Sequence, residues 1–179
     1  MKDSSAMAIS ILIALASGTA RADTVTDWNQ TAIEVMKVAK VAGNPWSRTL
    51  AMVHVAMSDA INSVQGRYTC YVATVPVEPG ASAEAAAAAA ARQILVELFP
   101  NQKAIVDEAY AASVKAIPES PAKSQGVTLG EQVAVAVQAN RSADGTNVPD
   151  TYRPVTSPGV WVPTPPPLFG NTPGQNHGC

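Results

Sequence analysis

Two histidines, two cysteines and 14 acidic residues bound the chemistry open to this 179-residue chain. His54 lies beside an apolar stripe, four residues before Ser58. Imidazole is the side chain best suited to acid–base work near neutral pH. Neither histidine, however, has the partner spacing of a nucleophile–base pair, and His54 reads as a packed helix histidine hydrogen-bonded to a neighbouring helix. Asp59, Asn62 and Ser63 form a polar patch on the same apolar segment. Arg48 shares a helical stripe with Asp59 but stands three turns away, about 16 Å at 1.5 Å per residue. The two cannot pair, so each is expected to tie down a loop or another helix end, because an unpaired buried charge is costly. His177 sits among Gly, Asn and Pro, a place for solvent. Asp144-Gly145-Thr146-Asn147 opens like a calcium loop, yet no acidic residue closes it at the required spacing, and it reads as a helix-ending turn. No phosphate loop, Gly-x-Ser-x-Gly elbow, His-Glu-x-x-His or Cys-x-x-Cys occurs. The residues alone point to no catalytic, cofactor-binding or metal-binding side chain.

The elements around these residues follow from composition. A net charge of −2 and a pI near 5.6 argue against nucleic acid as a partner, since such binders cluster Lys and Arg. Residues 1–22 have the pattern of a signal peptide. Lys2 gives a positive start, Ala6–Ala16 an apolar core, and Ala20-Arg21-Ala22 a small-x-small cleavage pattern. The core is too short to span a bilayer, which takes about 20 residues. The expectation is an exported protein, periplasmic or secreted, with no membrane segment once the leader is cleaved. A Cys70–Cys179 bridge would close a loop of roughly 110 residues. Cys179 ends a Gly/Pro-rich tail, so free or intermolecularly oxidised thiols are favoured.

The expected fold class is all-α, a bundle of about five helices over residues 23–147, followed by a Pro/Gly-rich extended tail or linker over 148–179. The first helix is expected from about Asp27 to Ala42, with Val35, Val38 and Ala42 on its apolar face. The second starts at Asn44-Pro45 and runs to about Val64, with Gly66 beyond. Its Leu50, Val53, Met57, Ile61 and Val64 repeat at helical spacing and its other faces are also apolar, which suggests the central helix. Residues 66–81 read as an ordered loop. Ser82 caps an alanine-rich third helix ending at Phe99. A fourth runs from Asn101 to Ile117, next to the third, and a fifth from Ser120-Pro121 to about Ala143. Gly126 and Gly130 lie one turn apart on the fifth and predict close helix contact. Eight of the 14 prolines fall in the last 31 residues, where no helix can persist.

The run Arg48-Thr-Leu-Ala-Met-Val-His-Val-Ala-Met-Ser-Asp-Ala-Ile-Asn62 has company on both sides. Asp27-Trp28-Asn29 precedes it, and Ala81-Ser82-Ala83-Glu84-Ala85 and Leu98-Phe99-Pro100 bound the next helix. Leu129-Gly130-Glu131, Arg141 with Asp144-Gly145, and Pro158-Gly159-Val160-Trp161 leading into Pro163-Thr164-Pro165-Pro166 follow. In this order they resemble the N-terminal half of exported vanadium-dependent haloperoxidase-like proteins, of the type 2 phosphatidic acid phosphatase superfamily, over about residues 23–167. The resemblance implies a helical bundle whose pocket holds vanadate or phosphate. Its oxyanion ligands come from three downstream motifs: a Lys ahead of Arg-Pro, a Pro-Ser-Gly-His, and a Ser-Arg stretch with a histidine. Here Thr146 stands where the Lys should precede Arg153-Pro154, and Val160 follows Ser157-Pro158-Gly159 in place of His. The third motif is absent from the sequence.

The expected function is therefore that of a non-catalytic N-terminal helical region, truncated before the oxyanion-binding motifs. No catalytic, cofactor or metal residue is assigned, and vanadate or phosphate would belong to the missing catalytic half. The expected partner is that half, or a second copy through self-association, across an open stripe at Met52 and Val55. The alternative is an exported helical interaction or binding module that works alone.

Overall fold

Seven consecutive alanines, Ala85–Ala91, organise the molecule. In the computed structural model, which describes residues 23–41, 43–73, 75–76, 78–149, 151, 153, 155 and 157–160, every one of them is buried. The described residues form five α-helices, α1 (Thr24–Val38), α2 (Pro45–Gln65), α3 (Ala83–Leu98), α4 (Lys103–Lys115) and α5 (Pro121–Arg141), with a 3₁₀ turn at Pro100–Gln102 before α4. There is no strand among the described residues, and the fold is all-α.

The cap chemistry explains the helix ends. Ser82 Oγ accepts from the Ala85 N–H at the start of α3, and Ser120 Oγ from the Lys123 N–H at the start of α5. Pro45 and Pro121 open α2 and α5, where a missing N–H costs nothing. Gly66 ends α2 in the left-handed region at φ 63°, its N–H donating to the Asn62 carbonyl. The first helix starts earlier than the sequence suggests, because the Asp23 carboxylate takes the Thr26 N–H at 2.8 Å. It also stops earlier, at Val38, which is 47 % exposed. The buried face is Trp28, Ala32, Val35 and Met36, and Ala42 lies outside the described residues.

The central helix is α3 and not α2: α3 touches each of the other four helices. Alanine is the reason. A helix carrying only methyl groups lets neighbours approach on every side, while large side chains from α1, α2, α4 and α5 fill the space between. The closest approach is to α5. A Cβ added at Gly126 or Gly130 would collide with the backbone carbonyl of Ser82 or Ala86. The two helices run side by side in the same direction: Ser82 N–H donates to Ala122 O at their starts, and Gln138 Nε2 to Gln93 O farther along. α2 runs against α5, with its first turn beside the end of α5.

The core is closed where an opening was expected. Met52 is only 4 % exposed and Val55 packs against the core, because α2 turns that side toward its neighbours. Among the described residues the large exposed hydrophobics are Val38 at the end of α1, Tyr68 and Tyr71 in the loop after α2, Val135 on α5, and Val148, Val155 and Val160 after it. Residues 1–22, where a leader is expected, and Trp161–Cys179, with His177, lie outside the described residues. Cys70 is half-buried and forms no disulfide among the described residues.

Candidate functional site

Five polar residues of α2, Arg48, His54, Asp59, Asn62 and Ser63, are bound into structure. Asp59, 1 % exposed, projects from the last third of α2 toward the following loop. Its carboxylate accepts three consecutive backbone N–H groups: Tyr71 at 2.7 Å, Val72 at 2.8 Å and Ala73 at 2.9 Å. One turn on, Asn62 Oδ1 accepts the N–H groups of Arg67 at 3.0 Å and Tyr68 at 2.7 Å. Its Nδ2 donates to the Tyr68 carbonyl and to Cys70 Sγ. Ser63 Oγ meets the same sulfur at 3.9 Å, and its carbonyl accepts the Glu78 N–H. Five loop amides thus find side-chain acceptors on one helix face, which is how a loop without secondary structure satisfies its backbone.

Arg48 ties the other end. Its Nε donates to Asp144 Oδ2 at 2.7 Å, and its second guanidinium nitrogen to the Arg141 carbonyl at 3.3 Å. The start of α2 is thereby pinned to the end of α5. Asp144 also caps its own turn by accepting the Thr146 N–H and hydroxyl. The Arg48 hydrogen bond, then Thr146, holds the Asp144 carboxyl well below the usual carboxylate range. His54 Nε2 lies 3.0 Å from Asn29 Oδ1, joining α2 to α1. It has no nucleophile within its hydrogen-bonding partners. Arg48, His54 and Asp59 do not converge.

Three further cations are engaged as well. Arg92 of α3 pairs with Asp107 of α4 at 2.8 Å and stacks over Tyr110, 5.0 Å from its ring centre. Lys103 pairs with the same Asp107, and Lys123 with Glu119 at 2.5 Å. The Lys103 and Arg92 hydrogen bonds, in that order, lower the Asp107 carboxyl, while burial raises the Tyr110 phenol despite the opposing charge of Arg92.

An open groove of about 830 Å³ lies between α1 and α4, with the first turn of α3 at its rim. Asp23, Asp27 and Glu84 supply carboxylates, Ala109, Ala112 and Ile117 an apolar wall, and no Lys or Arg among the described residues lines it. The Asp23 carboxyl is lowered by the capping bond from Thr26. Trp28 lies underneath, 1 % exposed, and its indole N–H has no partner among the described residues. Sequence reasoning missed this groove. Asp23 and Asp27 sit one turn apart, a visible signal, but Glu84 joins them only through packing. Such a lining attracts cations and repels vanadate or phosphate, which need converging donors. No group of three His, Cys, Asp or Glu side chains placed to hold a metal ion occurs among the described residues. No described helix is long and apolar enough to cross a membrane. Compared with protein-family models, with curated proteins and with solved structures, the chain finds no match.

Proposed function

We propose that this chain is the non-catalytic N-terminal helical portion of an exported protein of the vanadium haloperoxidase and phosphatidic acid phosphatase type, and that its role is to pack against a catalytic helical half. The observation that carries the reading is the duty of the motif residues. Arg48, His54, Asp59 and Gly130, which carry the resemblance, join α2 to α5, α2 to α1, α2 to its loop, and α5 to α3. A scaffold would keep such residues for packing and leave oxyanion binding to another segment. Vanadate or phosphate would then be held by that segment.

The chain is expected neither to oxidise halide with peroxide in the presence of vanadate nor to hydrolyse phosphate monoesters. Vanadate-dependent turnover lost in His54→Ala would overturn the scaffold role. The gene itself gives a sharper test: a Pro-Ser-Gly-His codon run downstream, in any frame, supports a broken parent protein.

A second reading, the stand-alone exported interaction or binding module, is favoured by the burial of Met52 and the closed core around α3. Size-exclusion chromatography with thermal melting separates the two. A monomer with one cooperative transition supports the module, and self-association or a molten state supports the scaffold.

A further inference from the structure

One guanidinium holds the place where the chain leaves the bundle. Arg48 stands in the first turn of α2, and its two contacts fall on either side of the end of α5. Its Nε meets the Asp144 carboxylate at 2.7 Å, and its second nitrogen the Arg141 carbonyl at 3.3 Å. That carbonyl is one of the last four of α5, which lack a partner inside the helix, and the negative end of a helix favours a cation. The next residue is held as well, because the Ser142 N–H and hydroxyl both donate to the Ala139 carbonyl. Asp144 in turn accepts from the Thr146 N–H and hydroxyl, and the Val148 N–H donates to the Gly145 carbonyl. The end of α5 and the turn beyond it are thus one hydrogen-bonded piece, closed from outside by Arg48.

Arginine suits this place and lysine does not. The planar fork presents two donors at once, whereas an ammonium is a single point. Each donor orders something different. The bond to the Arg141 carbonyl keeps the last turn of α5 from fraying, and the bond to Asp144 lays the following turn against the start of α2.

We propose that Arg48 is a latch that sets where the chain leaves the bundle. While the fork is closed, the Arg141–Ser142 peptide bond is shut to proteolytic attack and the segment beyond Asn147 departs from the side of α2. When the fork opens, the end of α5 and its turn loosen as one local unit, and that bond becomes a cleavage site. The latch uses the bundle and the turn alone, so it stands or falls separately from the haloperoxidase-like reading.

Limited digestion of the full 179-residue chain with trypsin, which cuts after Lys and Arg, tests this. Cleavage of a folded protein follows the population of its opened state. Arg48→Met should speed cleavage at Arg141–Ser142 about fivefold, the upper range for one exposed ion pair, and the amides of Thr146 and Val148 should exchange faster. Cleavage at Lys115–Ala116, which opens by fraying of α4 at the other end of the bundle, should keep its wild-type rate. Arg48→Lys keeps the charge and should recover no more than about half of the lost protection. Unchanged cleavage at Arg141–Ser142 in Arg48→Met would overturn the proposal. Equal acceleration at both bonds would overturn it too, since the variant would then loosen the whole bundle. Full protection in Arg48→Lys would do the same, because charge without the fork would suffice.

Discussion

Asp59 shows how much one buried side chain can hold. Its two oxygens are the acceptors for three loop amides, and truncation would leave those donors without partners in a water-poor place. Asp59→Ala is expected to cost about 3 kcal/mol, measured by urea unfolding, with exchange at residues 71–73 rising toward that of an open loop. Asp59→Asn, which keeps one acceptor oxygen, should cost less. Arg48–Asp144 is a more exposed contact and belongs to a different class. Its value is expected at about 0.5–1 kcal/mol, read as the difference between the wild type and Arg48→Met. Asp144 releases its proton more readily when folded, so the unfolded chain binds more protons as the medium becomes acid. The difference should be complete at neutral pH and shrink as pH falls through the ordinary carboxylate range toward the lower folded value. These two ties were legible as ties from the sequence, because a charge on an apolar helix must find a partner. Their partners were not, since Asp144 lies 96 residues from Arg48 and nothing local points to it.

Between elements, the α3–α5 contact sets the tightest tolerance. Gly126 and Gly130 meet backbone carbonyls, which cannot rotate away as a side chain could. An alanine gains about 1 kcal/mol in intrinsic helix preference over glycine. Here the collision should outweigh that gain, since overpacking costs about 1–3 kcal/mol even where side chains can yield. Gly126→Ala and Gly130→Ala are each expected to lower stability by about 2 kcal/mol, checked by thermal or urea melts. Local signals read well at this scale. Ser82, Gly66 and the break at Pro100 act within a turn of chain, and the structure has its helix ends at those places. The start of α1 was less legible, because treating Asp23 as the first residue after a leader hides its service as a cap. Val38 was misplaced for a related reason: an apolar residue in a helix's last turn need not face the core when the chain is about to leave it.

For the molecule as a whole, the lesson is which helix sits in the middle. Ranking segments by large apolar side chains favours α2, yet α3 is central because smallness, and not bulk, lets one helix have four neighbours. With Met52 inside that core, Met52→Glu is expected to unfold the chain rather than merely reduce association, visible as loss of the cooperative melt. The run Ala85–Ala91 looks like low-complexity sequence, and runs of one codon family are prone to slippage when DNA is copied. A gain or loss of one alanine would leave composition and helix propensity almost untouched. It would nevertheless turn everything after it by about 100°, one residue's share of a 3.6-residue turn. Ile94 and Leu95 would leave the core, and Arg92 would swing away from Asp107 and Tyr110. In-frame length variants of this tract should therefore be as damaging as a frameshift, although an alignment would score them as the mildest of changes.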